Sequence, residues 1–339
     1  MSQWSITEDS IVDNTIYIFG GIEEPELEPY IVNPDDDDDD EDDYRMRMFN
    51  PLNMKSTDIA YAYDIGRDQW RVETRAPFPW RTTGSIAINH DIFLFGGMVK
   101  EFTYNGNELW KYDTVKKNWS QKTSLPFLWD GSLRSCSINR KIYFTANSGH
   151  QARNIIHVYN IDSDEWEQPI FINKKLEIGD IVCLDESIKA FASEFKVNSI
   201  SGEIIHESDR MSSTYSENGV FTIHYNGTTL HSDISQEKKK VNVITSLDEY
   251  FYFYIVEDEV NGATIERVNA RTSEYEVVAS DLPYNFSSTF FIPTDLNQVF
   301  LFGGSSMYQN FRAHVPKNTD TDVSKDIVKK WSHKIVKGD

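Results

Sequence analysis

The residues of this chain best suited to hold a partner are arginines and large aromatics set beside prolines. Pro77-Phe78-Pro79-Trp80-Arg81, Pro126-Phe127-Leu128-Trp129 and Pro283-Tyr284-Asn285-Phe286 repeat one phrase, a stiffening proline followed three residues on by an aromatic. Arg and Trp are the side chains that most often anchor interfaces, so the chemistry on offer is recognition. Metal chemistry has less to work with. Two cysteines, Cys136 and Cys183, and eight histidines show no zinc-ligand spacing. Each cysteine falls in an apolar run that reads as a strand, where a small thiol packs as a simple core residue.

The elements that must position these residues repeat too. Ile16-Tyr17-Ile18-Phe19-Gly20-Gly21, Ile92-Phe93-Leu94-Phe95-Gly96-Gly97 and Val299-Phe300-Leu301-Phe302-Gly303-Gly304 each put β-branched and aromatic side chains before two glycines. That is a buried strand ending where the chain needs positive φ or close backbone approach. A second phrase follows at a regular distance. Tyr63-Asp64, Tyr112-Asp113 and Tyr159-Asn160 each precede a tryptophan seven residues after the tyrosine, and those tryptophans stand 49 and 47 residues apart. The Asp or Asn bonds its own backbone two residues on and so favours a hairpin. Val268 and Tyr275 repeat the spacing with weaker residues. Periodic words of this length mean a repeat architecture.

Gly-Gly followed by Tyr-Asp-x5-Trp at this period resembles the kelch repeat, over nearly the whole chain. The resemblance implies an all-β, kelch-type β-propeller whose repeats are four-stranded antiparallel blades. Strand a is innermost, b ends in Gly-Gly, c carries the Tyr and d the Trp. Repeat one uses 5–12 and 14–21 as strands a and b, with c and d within 57–74. Repeat two uses 83–89, 91–97, 107–113 and 117–122; repeat three uses 132–138, 140–146, 154–160 and 164–170. The last repeat uses Ser288–Ile292, Gln298–Gly304, Phe311–Val315 and Lys330–Ile335. Ile188–Ser193, Val220–Tyr225 and Tyr250–Val256 each read as a strand b. Counting all three favours seven blades; merging two leaves six. A short helix is expected around Ser324–Lys330, and residues 1–339 read as one domain.

Between Gly21 and Thr57 the chain is far longer than repeat two requires, so 22–56 is a b–c insertion. Residues 23–43 carry thirteen acids and no Lys or Arg, which leaves about −8 of the net charge of −21 for the rest. The centre, 34–43, cannot bury apolar surface and reads as disordered. Its tail, Tyr44 to Leu52, mixes basic, aromatic and thioether side chains suited to docking. Strands alternate in direction, so b–c and d–a connections leave one end of a propeller. In similar kelch domains that recognise peptides this end carries the contacts, often through arginines that bind acidic side chains. The resemblance therefore implies a partner-binding set of Trp80, Arg81, Lys100, Phe102, Tyr104, Trp129, Arg134, His150, Arg153, Phe286 and Tyr308. The aromatics among them are equally suited to packing blade on blade. A tethered acidic loop on the same end would compete with an acidic partner.

Catalysis is not expected. Copper oxidases of similar fold need a Tyr crosslinked to Cys and two His ligands, and only His150 falls in a loop at this end. The iron-dependent specifier proteins need a Glu-x3-Asp-x3-His set, which is absent from the sequence. A sugar mutarotase needs only an acid and an arginine; Glu101 with Arg81 fits, without singling itself out. No cofactor is expected. The expected function is a non-catalytic protein–protein interaction module, as an adaptor or a ubiquitin-ligase substrate-recognition subunit. A structural subunit of a larger assembly, or a sugar-modifying enzyme, is the alternative. The acidic balance argues against nucleic acid, and no run approaches the roughly 18 apolar residues of a membrane helix. With neither a basic region nor an apolar run at its N-terminus, the chain reads as cytoplasmic or nuclear, and as a monomer on its own. Asn118-Trp119-Ser120, Asn226-Gly227-Thr228 and Asn285-Phe286-Ser287 match the glycosylation tripeptide and, on that reading, are chance matches.

Overall fold

The apolar runs and polar turns of the sequence fold as strands and hairpins throughout the described residues. A computed structural model describes residues 11–23, 55–80, 84–97, 106–126, 133–146, 155–174, 176–194, 218–233, 241–258, 262–282, 289–294, 298–303, 310–314 and 328–331. The first sheet contains β1 (Ile11–Val12), β2 (Thr15–Phe19), β5 (Ile59–Asp64) and β6 (Gln69–Arg75); a ribbon of β3 (Ile22–Glu23) and β4 (Lys55–Ser56) rises between β2 and β5. The second contains β7 (Gly84–Ile88), β8 (Asp91–Phe95), β9 (Leu109–Asp113) and β10 (Asn118–Lys122). The third contains β11 (Leu133–Ile138), β12 (Lys141–Ala146), β13 (Ile155–Asn160), β14 (Glu165–Trp166) and β15 (Ile170–Phe171). The fourth is β16 (Leu176–Leu184), β17 (Ser187–Glu194), β18 (Asn218–His224) and β19 (Thr229–Asp233). The fifth is β20 (Val241–Leu247), β21 (Tyr250–Asp258), β22 (Gly262–Asn269) and β23 (Tyr275–Leu282). The sixth is β24 (Thr289–Thr294), β25 (Gln298–Gly303), β26 (Asn310–His314) and β27 (Val328–Trp331).

Every sheet is an antiparallel meander in chain order. Five have four strands; the third has a fifth because its outer strand is broken. β14 and β15 both pair with β13, and Pro169, which has no N–H to give, sits in the gap between them. The first strands β7, β11, β16, β20 and β24 contact one another in succession. Sheets therefore radiate from their first strands as the blades of a β-propeller. Buried apolar clusters fill the seams. Phe95 and Phe144 meet at 4.7 Å between the second and third sheets, and Phe191 and Phe253 at 4.6 Å between the fourth and fifth. Ile16, Ile18, Tyr63 and Ile65 pack on Ile292 and Phe300, which closes the first sheet against the sixth.

The repeated words form one local unit. Tyr63 faces Trp70, Tyr112 faces Trp119 and Tyr159 faces Trp166 across strands c and d, with ring centroids 5.0, 4.8 and 5.3 Å apart. The turn between them is held by the residue after the tyrosine. Asp113 Oδ1 accepts from Val115 and Lys116 N–H, and Asn160 Oδ1 from Asp162 and Ser163 N–H. Asn269 does the same for Arg271 and Thr272, where Val268 faces Tyr275. Tyr63 and Tyr159 donate to the turn carboxylates Asp68 and Asp164. Lys117 stands at that place in repeat two, and Tyr112 instead donates to Glu73 of the first sheet at 2.9 Å.

Three expectations are corrected. The blades are not seven. Ile188–Ser193 and Val220–Tyr225 are not separate strands b: β17 and β18 pair from Ser187↔His224 to Ser193↔Asn218 within one sheet. The long connection between those strands, 195–217, mimics a repeat step. The cysteines are not simple core thiols, since Cys136 on β11 and Cys183 on β16 form a disulfide with Cα atoms 5.4 Å apart. The segment expected as a helix near 324–330 contains β27 from Val328, because this stretch completes the ladder with β26.

Glycine is required where strand b ends. Gly20 and Gly21 have φ of 69° and 115°, Gly96 and Gly97 of 64° and 86°. A Cβ on Gly20 would stand 2.1 Å from the Trp80 carbonyl oxygen. Gly20→Ala is expected to cost at least about 2 kcal/mol from left-handed strain and backbone displacement. Gly66→Ala in the first c–d turn, whose Cβ meets only side-chain atoms beyond 3.4 Å, should stay within about 0.5 kcal/mol. Urea midpoints of the two variants check the contrast.

Candidate recognition face

The end where b–c and d–a connections emerge is tied together through the backbone. In the first sheet Gly21 N–H donates to the Trp80 carbonyl at 2.8 Å and Trp80 N–H to Thr57 at 3.2 Å. Thr57 N–H donates to Gly21 at 3.1 Å, and Ala76 N–H to Asp58 at 2.7 Å. Strand b's end, strand c's start and the crossing to the next blade thus form one knot. The second sheet repeats it, with Gly96 N–H on Glu108 at 3.1 Å and Leu125 N–H on Asn107 at 2.8 Å. Gly106 takes the place of Thr57 there, so close that a Cβ would lie 2.3 Å from the Gly97 oxygen.

This knot sets where the candidate residues sit. Trp80 is fully buried, 4.4 Å from Phe78 and 5.8 Å from Trp119 in the seam between the first and second sheets. Its ring packs blade on blade and fixes the crossing. Arg134 is half-buried near the start of β11, opposite Thr145. Arg81, Lys100, Phe102, Tyr104, Trp129, His150, Arg153, Phe286 and Tyr308 lie outside the described residues. The insertion is pinned at its stem, where Ile22 pairs with Ser56 and Glu23 with Lys55; 24–54 lie outside the described residues. Asp180 was not legible as a candidate. It is buried on β16 beside a bulge, and its Oδ1 accepts from Ile181 N–H at 2.8 Å. Its one signal was an acid followed directly by the apolar run Ile181 to Leu184. β11 and β16 touch, so Arg134 and Asp180 stand on neighbouring inner strands.

The opposite end, made of a–b and c–d turns, is laced by ion pairs. Arg140 pairs with Asp162 at 2.7 Å, and Arg271 bridges Asp185 and Glu249 between the fourth and fifth sheets. On the outer strands Glu73 joins the first sheet to the second, its side chain 2% exposed and held by Arg71, Lys117 and Tyr112. Burial pushes the Glu73 carboxyl up, but the hydrogen bonds from Lys117, Tyr112 and Arg71 outweigh it and hold the carboxyl below its ordinary value. Burial and the same carboxylate push the Tyr112 hydroxyl up.

Neither a protein-family model nor a curated protein sequence matches this chain. Among the described residues no group of three or more His, Cys, Asp or Glu is placed to hold a metal ion, and no helix is long and apolar enough to cross a membrane.

A carboxyl held low in the folded state stabilises it above the unfolded pKa and loses that contribution as pH falls through the folded one. Glu73→Gln is therefore expected to lower stability by about 1–3 kcal/mol at neutral pH. The difference from the parent chain should shrink as pH falls below about 4. Urea unfolding across that range measures it.

Proposed function

We propose that this chain is a kelch-type propeller acting as a non-catalytic interaction module, with a protein or peptide bound at the end where the b–c and d–a connections emerge. The observation that carries the reading is the knot of Gly21, Thr57 and Trp80, which holds the stem of the acidic insertion against the crossing between two blades. Loops anchored this way on a rigid scaffold are where propellers and other repeat folds carry contacts. The expected partner presents carboxylates to Arg81 and Arg134, as a linear acidic segment would. Such chemistry suits an adaptor that holds an acidic segment of another protein.

Partners recovered from the native cell should be lost with an Arg81→Ala, Arg134→Ala double variant, a loss of about 2 kcal/mol or more if the pair anchors the contact. Arg140→Ala, at the far end, should keep them. Partners that survive the double variant, with its fold verified by circular dichroism, would place the function on another surface.

A further inference from the structure

The geometry points to Asn226 as an N-glycosylation site in a protein matured in an oxidising compartment, with the sugar seated over an apolar patch at the turn end of the fourth blade. Three independent features carry this. First, Cys136 and Cys183 are joined across two blades, and such bonds persist in secretory and extracellular settings and are rare in reducing ones. Second, Asn226-Gly227-Thr228 lies in the exposed turn between β18 and β19. Asn226 Oδ1 accepts from Thr228 N–H at 3.0 Å and from Thr228 Oγ1 at 2.8 Å. Neither bond uses the Nδ2 atom that would carry the sugar. By contrast Asn118-Trp119-Ser120 is strand β10, with Trp119 packed against the core.

Third, exposed apolar side chains stand in the turn and on the two strands beside it. Phe171, Leu230 and Tyr225 are 63%, 62% and 39% exposed. Gly227 lies against the Phe171 carbonyl, and Asn173 N–H donates to Gly227 at 3.0 Å, which brings β15 and the turn together. A bulky solubilising glycan on Asn226 would cover these side chains.

The chemistry balances with donors of stated class. The two thiols give two protons and two electrons to a disulfide-bearing oxidoreductase, whose own disulfide becomes a dithiol. Asn226 Nδ2 displaces a lipid pyrophosphate from the anomeric carbon of a lipid-linked oligosaccharide. A C–N bond forms, the sugar–phosphate C–O bond breaks with its electron pair leaving on the phosphate, and the amide loses one proton.

The test uses the full-length protein isolated from its own cell. Peptide N-glycosidase should shift its mobility and leave aspartate at position 226 in the tryptic peptide. Asn226→Gln and Thr228→Ala should each abolish that shift, and Thr228→Ser should keep it. A thiol-reactive polymer should label the denatured chain only after reduction. The glycan-free protein should bind more of a hydrophobic dye, and Phe171→Ser with Leu230→Ser should remove the excess. An unmodified Asn226 in the native protein overturns the proposal, and free cysteines in that same protein would identify a reducing compartment. The mass readout needs no variant, so a misfolded mutant cannot hide the answer.

Discussion

The cross-strand pair of Tyr and Trp, locked by the Asx turn between them, is the unit on which the rest depends. A two-stranded hairpin alone is marginal in water. Here the turn's N–H groups are satisfied by Asp113, Asn160 or Asn269, and the tyrosine hydroxyls of the first and third sheets by Asp68 and Asp164. The outer strands are thereby held in register by contacts within each blade. The second sheet shows the unit used differently. With lysine where the turn acid would be, Tyr112 reaches Glu73 and the local lock becomes a link between blades.

Blade contact then rests on close approach. The glycines after strand b admit the Trp80 carbonyl to within hydrogen-bond reach, and Trp80 fills the seam beyond. Among the described residues each sheet is one stretch of the chain in sequence order, and no described strand is shared across the first and last blades. Closure rests on side-chain packing, with Phe300 against Tyr63 at 5.8 Å and Ile292 beside Ile16 and Ile18. The disulfide adds a covalent tie between the inner strands of the third and fourth blades. That seam also holds the largest share of buried isoleucines, from Ile156 to Ile223.

Much of this was legible because the repeating words are local. Tyr63 and Tyr159 bond carboxylates five residues on, the glycine pairs take their left-handed φ within a single turn, and the strands of the second repeat fall within two residues of their expected bounds. What was not legible depends on pairing at a distance. The fourth blade has no Tyr and Trp words, and its strands b and c are separated by 195–217, so nothing nearby says that Ile188 belongs opposite Ile223. The cysteines failed for the same reason. Cys136 and Cys183 are 47 residues apart in sequence, and only the ring of inner strands brings them together. Of the candidate face, Trp80 was equally suited to a partner or to blade packing, and the structure places its ring in the seam against Phe78 and Trp119.

Strand alternation ties the two functional readings together. The turn between β18 and β19 is a c–d turn and leaves the propeller at the end opposite the b–c and d–a connections. A sugar on Asn226 would therefore stand at the end occupied by Arg140, Asp162 and Arg271, away from the stem of Ile22 and Ser56. Mass added at the turn end would stand away from the end that carries Arg134, and the inner strands of the third and fourth blades are tied by the disulfide. The stem of the insertion stands at that other end, and an acidic segment tethered there would compete with an acidic partner for Arg134. Salt weakens that competition more than it weakens the buried seams, since exposed charges are screened within about 10 Å at 0.1 M. The packed seams should therefore respond less to ionic strength than binding at the end that carries the stem.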